Sequence, residues 1–123
     1  MKVMVVEDDP DILKLTKTML AIDGYETIEA FTGEECLKKL TQGEVPDMFL
    51  LDVMMPGIDG YEVCRKIKSD DKLKKIPAIM YTVKVKDEDK ERGFQAGANG
   101  YVEKPFDPYV FLKEIQALLK TDN

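Results

Sequence analysis

Chemically active side chains stand at or just past the ends of four short apolar runs in this sequence. They are Glu7, Asp8 and Asp9 after the first run, Asp52 after the third, Thr82 after the fourth and Lys104 past the fifth. If the runs are neighbouring parallel strands, their carboxyl ends border one crevice, and these side chains meet there. A carboxylate nucleophile, a charge-neutralising cation and donors for the transferred oxygens are the components of phosphoryl transfer.

The predicted cluster of carboxylates requires a cation. Two unit charges 4 Å apart repel each other by about 4 kcal/mol at an effective dielectric constant of ~20. An all-oxygen site that is open to water suits Mg²⁺ or Mn²⁺, which keep some waters and take carboxylate and phosphate oxygens as their other ligands. Lys104 adds an ammonium group for a carboxylate or a phosphate, and Thr82 adds a hydroxyl donor.

Each of these residues also has an ordinary structural explanation. An acidic run such as Glu7-Asp8-Asp9 is often a solvated turn or a helix cap. Thr82 can cap the following helix, Lys104 can be a surface lysine before a turn, and an aspartate that ends a strand is often a turn residue. Independent surface residues, however, have no reason to collect at one end of four neighbouring strands. The joint pattern therefore favours a functional site.

The elements that position these side chains alternate along the chain. Apolar or β-branched runs at 3–6, 25–29, 48–51, 78–81 and 100–102 are separated by segments whose apolar residues recur three and four positions apart. This pattern is typical of a βα repeat. Single-helix crossovers give a parallel sheet that is covered on both faces. The second run ends without polar chemistry at Ala30-Phe31, which indicates an edge strand and the strand order 2-1-3-4-5.

Five helices are expected between and after the strands. The first is predicted to bury one apolar stripe, which consists of Ile12, Leu15, Met19 and Ile22. Asp9, Thr32, Asp59 and Asp107 are the expected caps of the first, second, third and fifth helices. The fourth helix, at 87–95, has a weak apolar stripe, so we expect it to be the least firmly packed.

Composition excludes several classes of function. At 123 residues, of which 44% are apolar and 34% charged, the chain is expected to form one globular domain over 1–123. It contains no histidine, which removes Ser-His triads and His-ligated metal sites. A formal charge of −6 argues against direct binding of nucleic acid.

Targeting signals and paired cysteines are not evident in the sequence. Its longest apolar stretches are too short for a membrane helix, so we expect no membrane association and a cytoplasmic location. Cys36 and Cys64 fall in predicted helices beside apolar residues. They are interpreted as buried thiols rather than as a disulfide or a metal pair.

Over essentially its whole length the sequence resembles the receiver domains of two-component response regulators. The matching segments are VVEDDP at 5–10, LLDVMMPGIDG at 50–60, Tyr81-Thr82, Gly97-Ala98, Tyr101 and KPF at 104–106. The resemblance implies a flavodoxin-like (βα)5 three-layer sandwich. It also implies that Asp52 accepts a phosphoryl group. Of the residues around the metal, Asp8 would ligate Mg²⁺ directly and Glu7 would contact it through water. Met54 would offer its backbone carbonyl to the metal.

The resemblance further implies a switch. The Thr82 hydroxyl would turn toward the phosphoryl group, Tyr101 would rotate inward, and Lys104 would pair with the phosphoryl group ahead of a cis peptide bond to Pro105. Tyr101 also has an ordinary explanation, as a half-buried strand tyrosine with its hydroxyl in solvent. Val83 departs from the family pattern, in which a smaller residue often follows the threonine, and its bulk would narrow access to the phosphoacceptor.

As partners, the resemblance implies a sensor histidine kinase or phosphotransfer protein and a downstream protein or output domain. The surface formed by the fourth helix, fifth strand and fifth helix would control that output, in a monomer or a phosphorylation-dependent dimer. The domain would catalyse only its own phosphorylation and dephosphorylation.

Three alternative functions remain to be distinguished. A phosphatase of the haloacid dehalogenase type needs a second aspartate where Met54 stands, and a flavin binder needs a hydroxyl-rich or glycine-rich loop where the acidic run stands. A degenerate receiver that only binds partners would not need the complete set of Asp8, Asp52, Thr82 and Lys104.

Overall fold

Five parallel strands form the centre of the protein. The computed structural model describes residues 1–82, 86–104 and 108–121, with only the backbone at 108 and 118–121. The strands are β1 (Lys2–Val6), β2 (Glu26–Ala30), β3 (Met48–Asp52), β4 (Ala78–Thr82) and β5 (Gly100–Glu103). They pair in the order β2-β1-β3-β4-β5, which confirms the predicted order and leaves β2 at one edge.

Five helices cover the sheet. They are α1 (Pro10–Ile22), α2 (Gly33–Thr41), α3 (Gly60–Lys68), α4 (Asp87–Gln95) and α5 (Pro108–Thr121). The predicted caps at Asp9, Thr32 and Asp59 are confirmed, because each side chain accepts a hydrogen bond from a backbone N–H of the first helical turn. Asp107, the peptide bond to Pro105 and the side chain of Val83 lie outside the described residues.

Strand alternation divides the core into two layers. Successive side chains of a strand point to opposite faces of the sheet. One layer joins Met4, Val6, Phe49, Leu51 and Met80 to residues of α2 and α3. The other layer joins Val3, Val5, Leu50, Ile79 and Tyr81 to residues of α1 and α5. Since β3 and β4 are buried on both faces, the expected three-layer α/β sandwich is confirmed.

The buried face of α1 differs from the predicted stripe. Leu15 and Ile22 are 55% and 67% exposed, whereas the buried positions of the helix are Leu13, Thr16, Met19 and Leu20. The stripe that faces the sheet passes through Thr16, whose hydroxyl donates a 2.8 Å hydrogen bond to the carbonyl of Ile12. A threonine that satisfies its own hydroxyl can be buried at little cost. Counting apolar residues alone therefore selected the wrong face.

Both cysteines are buried and free, as predicted. Burial raises the pKa of Cys36 to about 12 and that of Cys64 to about 11, so both thiols are neutral at physiological pH. In the part of the chain that the structure describes, no helix combines the length and the apolar character needed to cross a membrane.

Lys68, the last residue of α3, ties together the segments that lead into β4 and β5. Its ammonium donates to the carbonyl of Ile76 at 2.8 Å, to Oδ1 of Asn99 at 2.8 Å and to the carbonyl of Lys74 at 3.1 Å. Asn99 Oδ1 also accepts from the N–H of Ala78 at 2.9 Å. The amino-terminal ends of the two strands are thereby fixed to each other and to α3.

Gly60, at the start of α3, stands against the backbone of the last residue of β3. A Cβ added there would lie 2.3 Å from the carbonyl oxygen of Asp52. We expect Gly60→Ala to lower the free energy of unfolding by about 2 kcal/mol, because overpacking against the backbone outweighs the higher helix propensity of alanine. Urea unfolding measures the change.

Gly93→Ala in α4 is the matched control for Gly60→Ala. Its added Cβ would meet only side chains, those of Tyr101 at 3.0 Å and Met80 at 3.4 Å. We therefore expect Gly93→Ala to lower the free energy of unfolding by less than Gly60→Ala does. Equal losses in the two variants would contradict the proposed close approach at Gly60.

Candidate functional site

The predicted site residues meet at the carboxyl edge of the sheet. Glu7 and Asp8 directly follow β1, Asp52 ends β3, Thr82 ends β4, and Lys104 follows β5. The backbone N–H of Lys104 donates to the carbonyl of Thr82 at 2.8 Å, which continues the pairing of β4 and β5 up to this lysine. The sheet order brings β1, β3 and β4 side by side, so that all five residues lie at one edge of the sheet. Glu7, Asp8, Asp52 and Lys104 form one crevice there, and Thr82 is next to it at the end of β4.

Three carboxylates form the acidic part of the crevice. One oxygen from each of Glu7, Asp8 and Asp52 lies within 4.8 Å of the others. Glu7 and Asp52 are buried, with 1% and 6% of their surface exposed, whereas Asp8 faces solvent. Carboxylate oxygens that gather at a water-accessible mouth are the donor set that Mg²⁺ and Mn²⁺ prefer. These residues therefore fit a divalent cation.

Lys104 supplies the positive charge of the crevice. Its ammonium forms an ion pair with Glu7 and lies 3.6 Å from Oδ2 of Asp52, and the residue is only 6% exposed. A buried ammonium between two carboxylates offsets part of the desolvation cost of all three groups. Lys104 is therefore a buried component of the site, and the alternative of a surface lysine is wrong.

The carboxylates have unequal proton affinities. Burial, together with hydrogen bonding to Glu7, raises the pKa of Asp52 to about 7, and the charge of Lys104 only partly opposes this. Burial also raises the pKa of Glu7. Hydrogen bonds with Asp52 and Lys104, together with the charge of Lys104, outweigh the effect of burial, so the pKa of Glu7 is below its ordinary value. Of the two buried carboxyl groups, Asp52 is therefore the one with the higher pKa in the metal-free protein.

Binding of Mg²⁺ should depend on pH for this reason, since the metal must displace the proton of Asp52. With its pKa raised to about 7, Asp52 should be mostly protonated at pH 6 and mostly ionised at pH 8. We expect the dissociation constant for Mg²⁺, measured by calorimetry, to fall about tenfold from pH 6 to pH 8. Asp52→Asn should lose most of this dependence, and a pH-independent wild type would contradict the assignment.

The backbone beside Asp52 also faces the crevice. The N–H of Met54 donates to Oδ1 of Asp52 at 3.3 Å, while the Met54 side chain is 65% exposed. Thr82 is buried and lines a cavity of about 520 Å³ that opens next to Met54, Asp59 and Tyr101. The cavity leaves space beside the Thr82 side chain, on the side of Tyr61 and Tyr101, and Asp52 is not among its lining residues.

Tyr101 is half-buried, as its ordinary explanation supposed, but its hydroxyl has a partner within the protein. The hydroxyls of Tyr101 and Tyr61 lie 3.2 Å apart, and the Tyr61 hydroxyl donates to the carbonyl of Asp89 in α4 at 3.1 Å. The Arg92 guanidinium stacks 4.3 Å from the centre of the Tyr61 ring. Tyr61 therefore links Tyr101 to α4. Nothing in the sequence pattern distinguishes Tyr61 from a core aromatic residue, so it was not predicted to contact the site.

Tyr81 is a second aromatic residue beside the site whose contact was not predicted from the sequence. It is fully buried in β4, and the ammonium of Lys104 lies 4.2 Å from the centre of its ring. Burial and the negative charges of Glu7 and Asp52 raise the pKa of Tyr81 well above its ordinary value, so the phenol stays neutral. Strand alternation was the signal that could have found it, since it places Tyr81 on the same face as Asp52.

The sequence matches the family model for the response regulator receiver domain over residues 3–116. Among curated proteins, the alkaline phosphatase synthesis transcriptional regulatory protein PhoP of Bacillus subtilis is 39% identical over 119 residues, which cover 97% of this chain and 48% of that protein. The chain spans about half the length of the curated relatives it matches.

Solved structures give the same result for the fold. A putative response regulator from Chloroflexus aurantiacus superposes with a TM-score of 0.91 at 34% identity, with 97% of each chain covered. The chemotaxis protein CheY4 of Vibrio cholerae superposes with a TM-score of 0.89 at 32% identity, over 95% of this chain and 97% of that one. The family match includes every site residue from Glu7 to Lys104.

Proposed function

Because this chain belongs to the response regulator receiver domain family, we propose that Asp52 is the residue on which it accepts a phosphoryl group. The observation that carries the proposal is the meeting of three carboxylates, within 4.8 Å of one another, with one buried ammonium at the end of β3. A carboxylate that must attack an anionic phosphoryl group needs positive charge beside it, and this crevice is built to hold such charge.

Glu7, Asp8, Asp52 and the carbonyl of Met54 form the proposed Mg²⁺ site, in which Mn²⁺ can replace Mg²⁺. When bound, the ion offsets the negative charge of the phosphoryl oxygens and of the carboxylates around them. Because Asp8 is exposed and Glu7 is paired with Lys104, we assign direct ligation to Asp8 and a contact through water to Glu7.

In the proposed reaction, an oxygen of the Asp52 carboxylate attacks the phosphorus of a phosphohistidine. The new O–P bond forms as the P–N bond breaks, and the electron pair of that bond goes to the leaving imidazole. The histidine must belong to a sensor kinase or phosphotransfer protein, because this chain contains none. Lys104, which lies 3.6 Å from Asp52, moves its ammonium to a phosphoryl oxygen, and Thr82 donates its hydroxyl to another.

The output of the proposed reaction is a change in surface. Up to two negative charges at Asp52 attract Thr82 and Lys104 and thereby bias an existing equilibrium of α4, β5 and Tyr101. That face would then recruit or release a downstream protein or output domain, in a monomer or in a phosphorylation-dependent dimer. The chain is a signalling domain of its family, and we propose that it catalyses only its own phosphorylation and dephosphorylation. We further propose that residues 1–123 form one domain, which acts in the cytoplasm and does not contact nucleic acid directly.

Incubation with acetyl phosphate and Mg²⁺ tests the proposal. Intact mass should increase by one phosphoryl group, peptide mapping should locate it at Asp52, and beryllofluoride should bind only with Mg²⁺ present. An unmodified protein that also fails to bind beryllofluoride would overturn the proposal. Continuous release of phosphate from a phosphate ester would instead indicate a phosphatase.

A further inference from the structure

Four residues of the crevice share one face of the sheet. Strand alternation directs three of them, Glu7, Asp52 and Lys104, toward the layer of α1 and α5. Each is an even number of positions from a strand residue of that layer, namely Val5, Leu50 and Val102. Tyr81 belongs to the same layer and stands beside Asp52 in the register of β3 and β4. The other member of β4 at this edge, Thr82, points to the opposite face.

We propose that Tyr81 is a positioning residue for phosphoryl transfer, because the face of its ring holds the Lys104 ammonium in the crevice. The inference rests on the proposed function of Asp52. The ammonium lies 4.2 Å from the ring centre, within the range of a cation–π contact, and both residues are buried. Desolvation strengthens such a contact, because water no longer competes for the ammonium.

A ring suits this position better than another anion would. Lys104 already faces the carboxylates of Glu7 and Asp52, and a third carboxylate would add repulsion among the acidic groups. The negative face of an aromatic ring attracts the ammonium without a formal charge and without fixed hydrogen-bond directions. The ammonium can therefore turn from Asp52 toward a phosphoryl oxygen while it stays on the ring.

Tyr81→Leu and Tyr81→Phe separate the ring from the hydroxyl. We expect Tyr81→Leu to lower the rate constant for phosphorylation by acetyl phosphate about tenfold, the size of a buried cation–π contact. Tyr81→Phe keeps the ring and should stay within about twofold of the wild type. Time-resolved intact mass at saturating Mg²⁺ gives both rates.

Phe49→Leu is the matched control for loss of core volume. Phe49 is a fully buried aromatic residue that stands three positions before Asp52 in β3 and faces the other layer. We expect this variant to lose stability but to be phosphorylated at the wild-type rate. An equal loss of rate in Phe49→Leu would overturn the proposal, since the effect would then reflect core packing alone.

Nuclear magnetic resonance of the metal-free, unphosphorylated protein gives a readout independent of activity. The ring current of Tyr81 should shift the side-chain protons of Lys104 upfield in the wild type and in Tyr81→Phe, and the shift should disappear in Tyr81→Leu. Unshifted Lys104 signals in the wild type would overturn the contact.

A variant series that preserves shape covers the case in which Tyr81→Leu does not fold. Stepwise fluorination of a phenylalanine at position 81 withdraws electrons from the ring face and should slow phosphorylation at each step. A rate that does not change across the series would overturn the proposal. If the wild type itself accepts no phosphoryl group, the proposed function fails, whereas a normal rate in Tyr81→Leu defeats only the role of Tyr81.

Discussion

Asp52→Asn is expected to abolish phosphorylation by acetyl phosphate, with a loss of more than about a thousandfold. An asparagine side chain carries no ionised oxygen that can attack phosphorus, and its carboxamide cannot form an acyl phosphate. Glu7 is also buried, but it is held in an ion pair with Lys104, whereas Asp52 ends β3 with its Oδ2 3.6 Å from that ammonium. Intact mass after incubation with acetyl phosphate and Mg²⁺ measures the loss.

Asp47→Asn is the matched control, because Asp47 is an exposed aspartate that directly precedes the same strand. It accepts a hydrogen bond from the backbone N–H of Lys2, which an asparagine can also accept, so phosphorylation should be unchanged. Phosphorylation that persists in Asp52→Asn would contradict the assignment of the nucleophile.

A measurement of thermal stability shows whether Asp52→Asn has lost only its nucleophile or has also lost its fold. The pKa of Asp52 is raised to about 7 in the folded, metal-free protein, so its ionisation destabilises the fold progressively as pH rises from about 4 to above 7. Asparagine removes that charge. The melting temperature of the metal-free variant at pH 8 should therefore be higher than that of the wild type.

Lys104→Met is expected to lower the free energy of unfolding by about 3 to 5 kcal/mol at pH 8 without metal. Methionine fills a similar volume, but the carboxylates of Glu7 and Asp52 lose the ammonium between them. Without that charge both carboxyl pKa values rise in the folded state, and a raised carboxyl pKa costs stability as pH rises through it. The loss should therefore be much smaller at pH 5, where the carboxyls can take up protons.

Urea unfolding in a chelator at the two pH values measures the effect of Lys104→Met. Lys74→Met is its control, because Lys74 pairs with the exposed Asp71 at the surface, and an exposed pair contributes less than about 1 kcal/mol. An equal loss for Lys104→Met at pH 5 and pH 8 would contradict the electrostatic explanation and would indicate a packing defect instead.

Much of the fold could be predicted from local sequence. The apolar runs that became β3 and β4 are short and continuous, which fits strands buried on both faces. Caps such as Thr32 and Asp59 follow from the chemistry of a single side chain. The face of α1 was wrong because it depended on Thr16, a polar residue whose hydroxyl is satisfied within its own helix. Periodicity of apolar residues cannot detect such a residue.

The site was predictable in its location but not in its contacts. The ends of the strands placed Asp52 and Lys104 at one edge, since that follows from parallel topology. Which carboxylate Lys104 pairs with depends on side-chain directions in three dimensions, and the ion pair with Glu7 joins residues 97 positions apart. The contacts of Tyr61 and Tyr81 were missed for the same reason, because an aromatic residue in a buried segment has the same pattern with or without a partner.

Because Lys68 holds the amino-terminal ends of β4 and β5, we expect a change at the carboxyl edge of the sheet to move mainly the opposite ends of these strands. The Lys68 ammonium donates hydrogen bonds to Ile76 and Asn99, which precede β4 and β5. These ends are therefore expected to stay fixed while the strands tilt about them. A strand of five residues is about 17 Å long, and a tilt of only about 5° about its fixed end would displace its other end by roughly 1.5 Å. Asp52 pairs with Tyr81 near the carboxyl end of β4, so a phosphoryl group there would act far from the end that Lys68 holds. We therefore expect amide hydrogen exchange near Ala78 to stay slow while exchange in α4 changes.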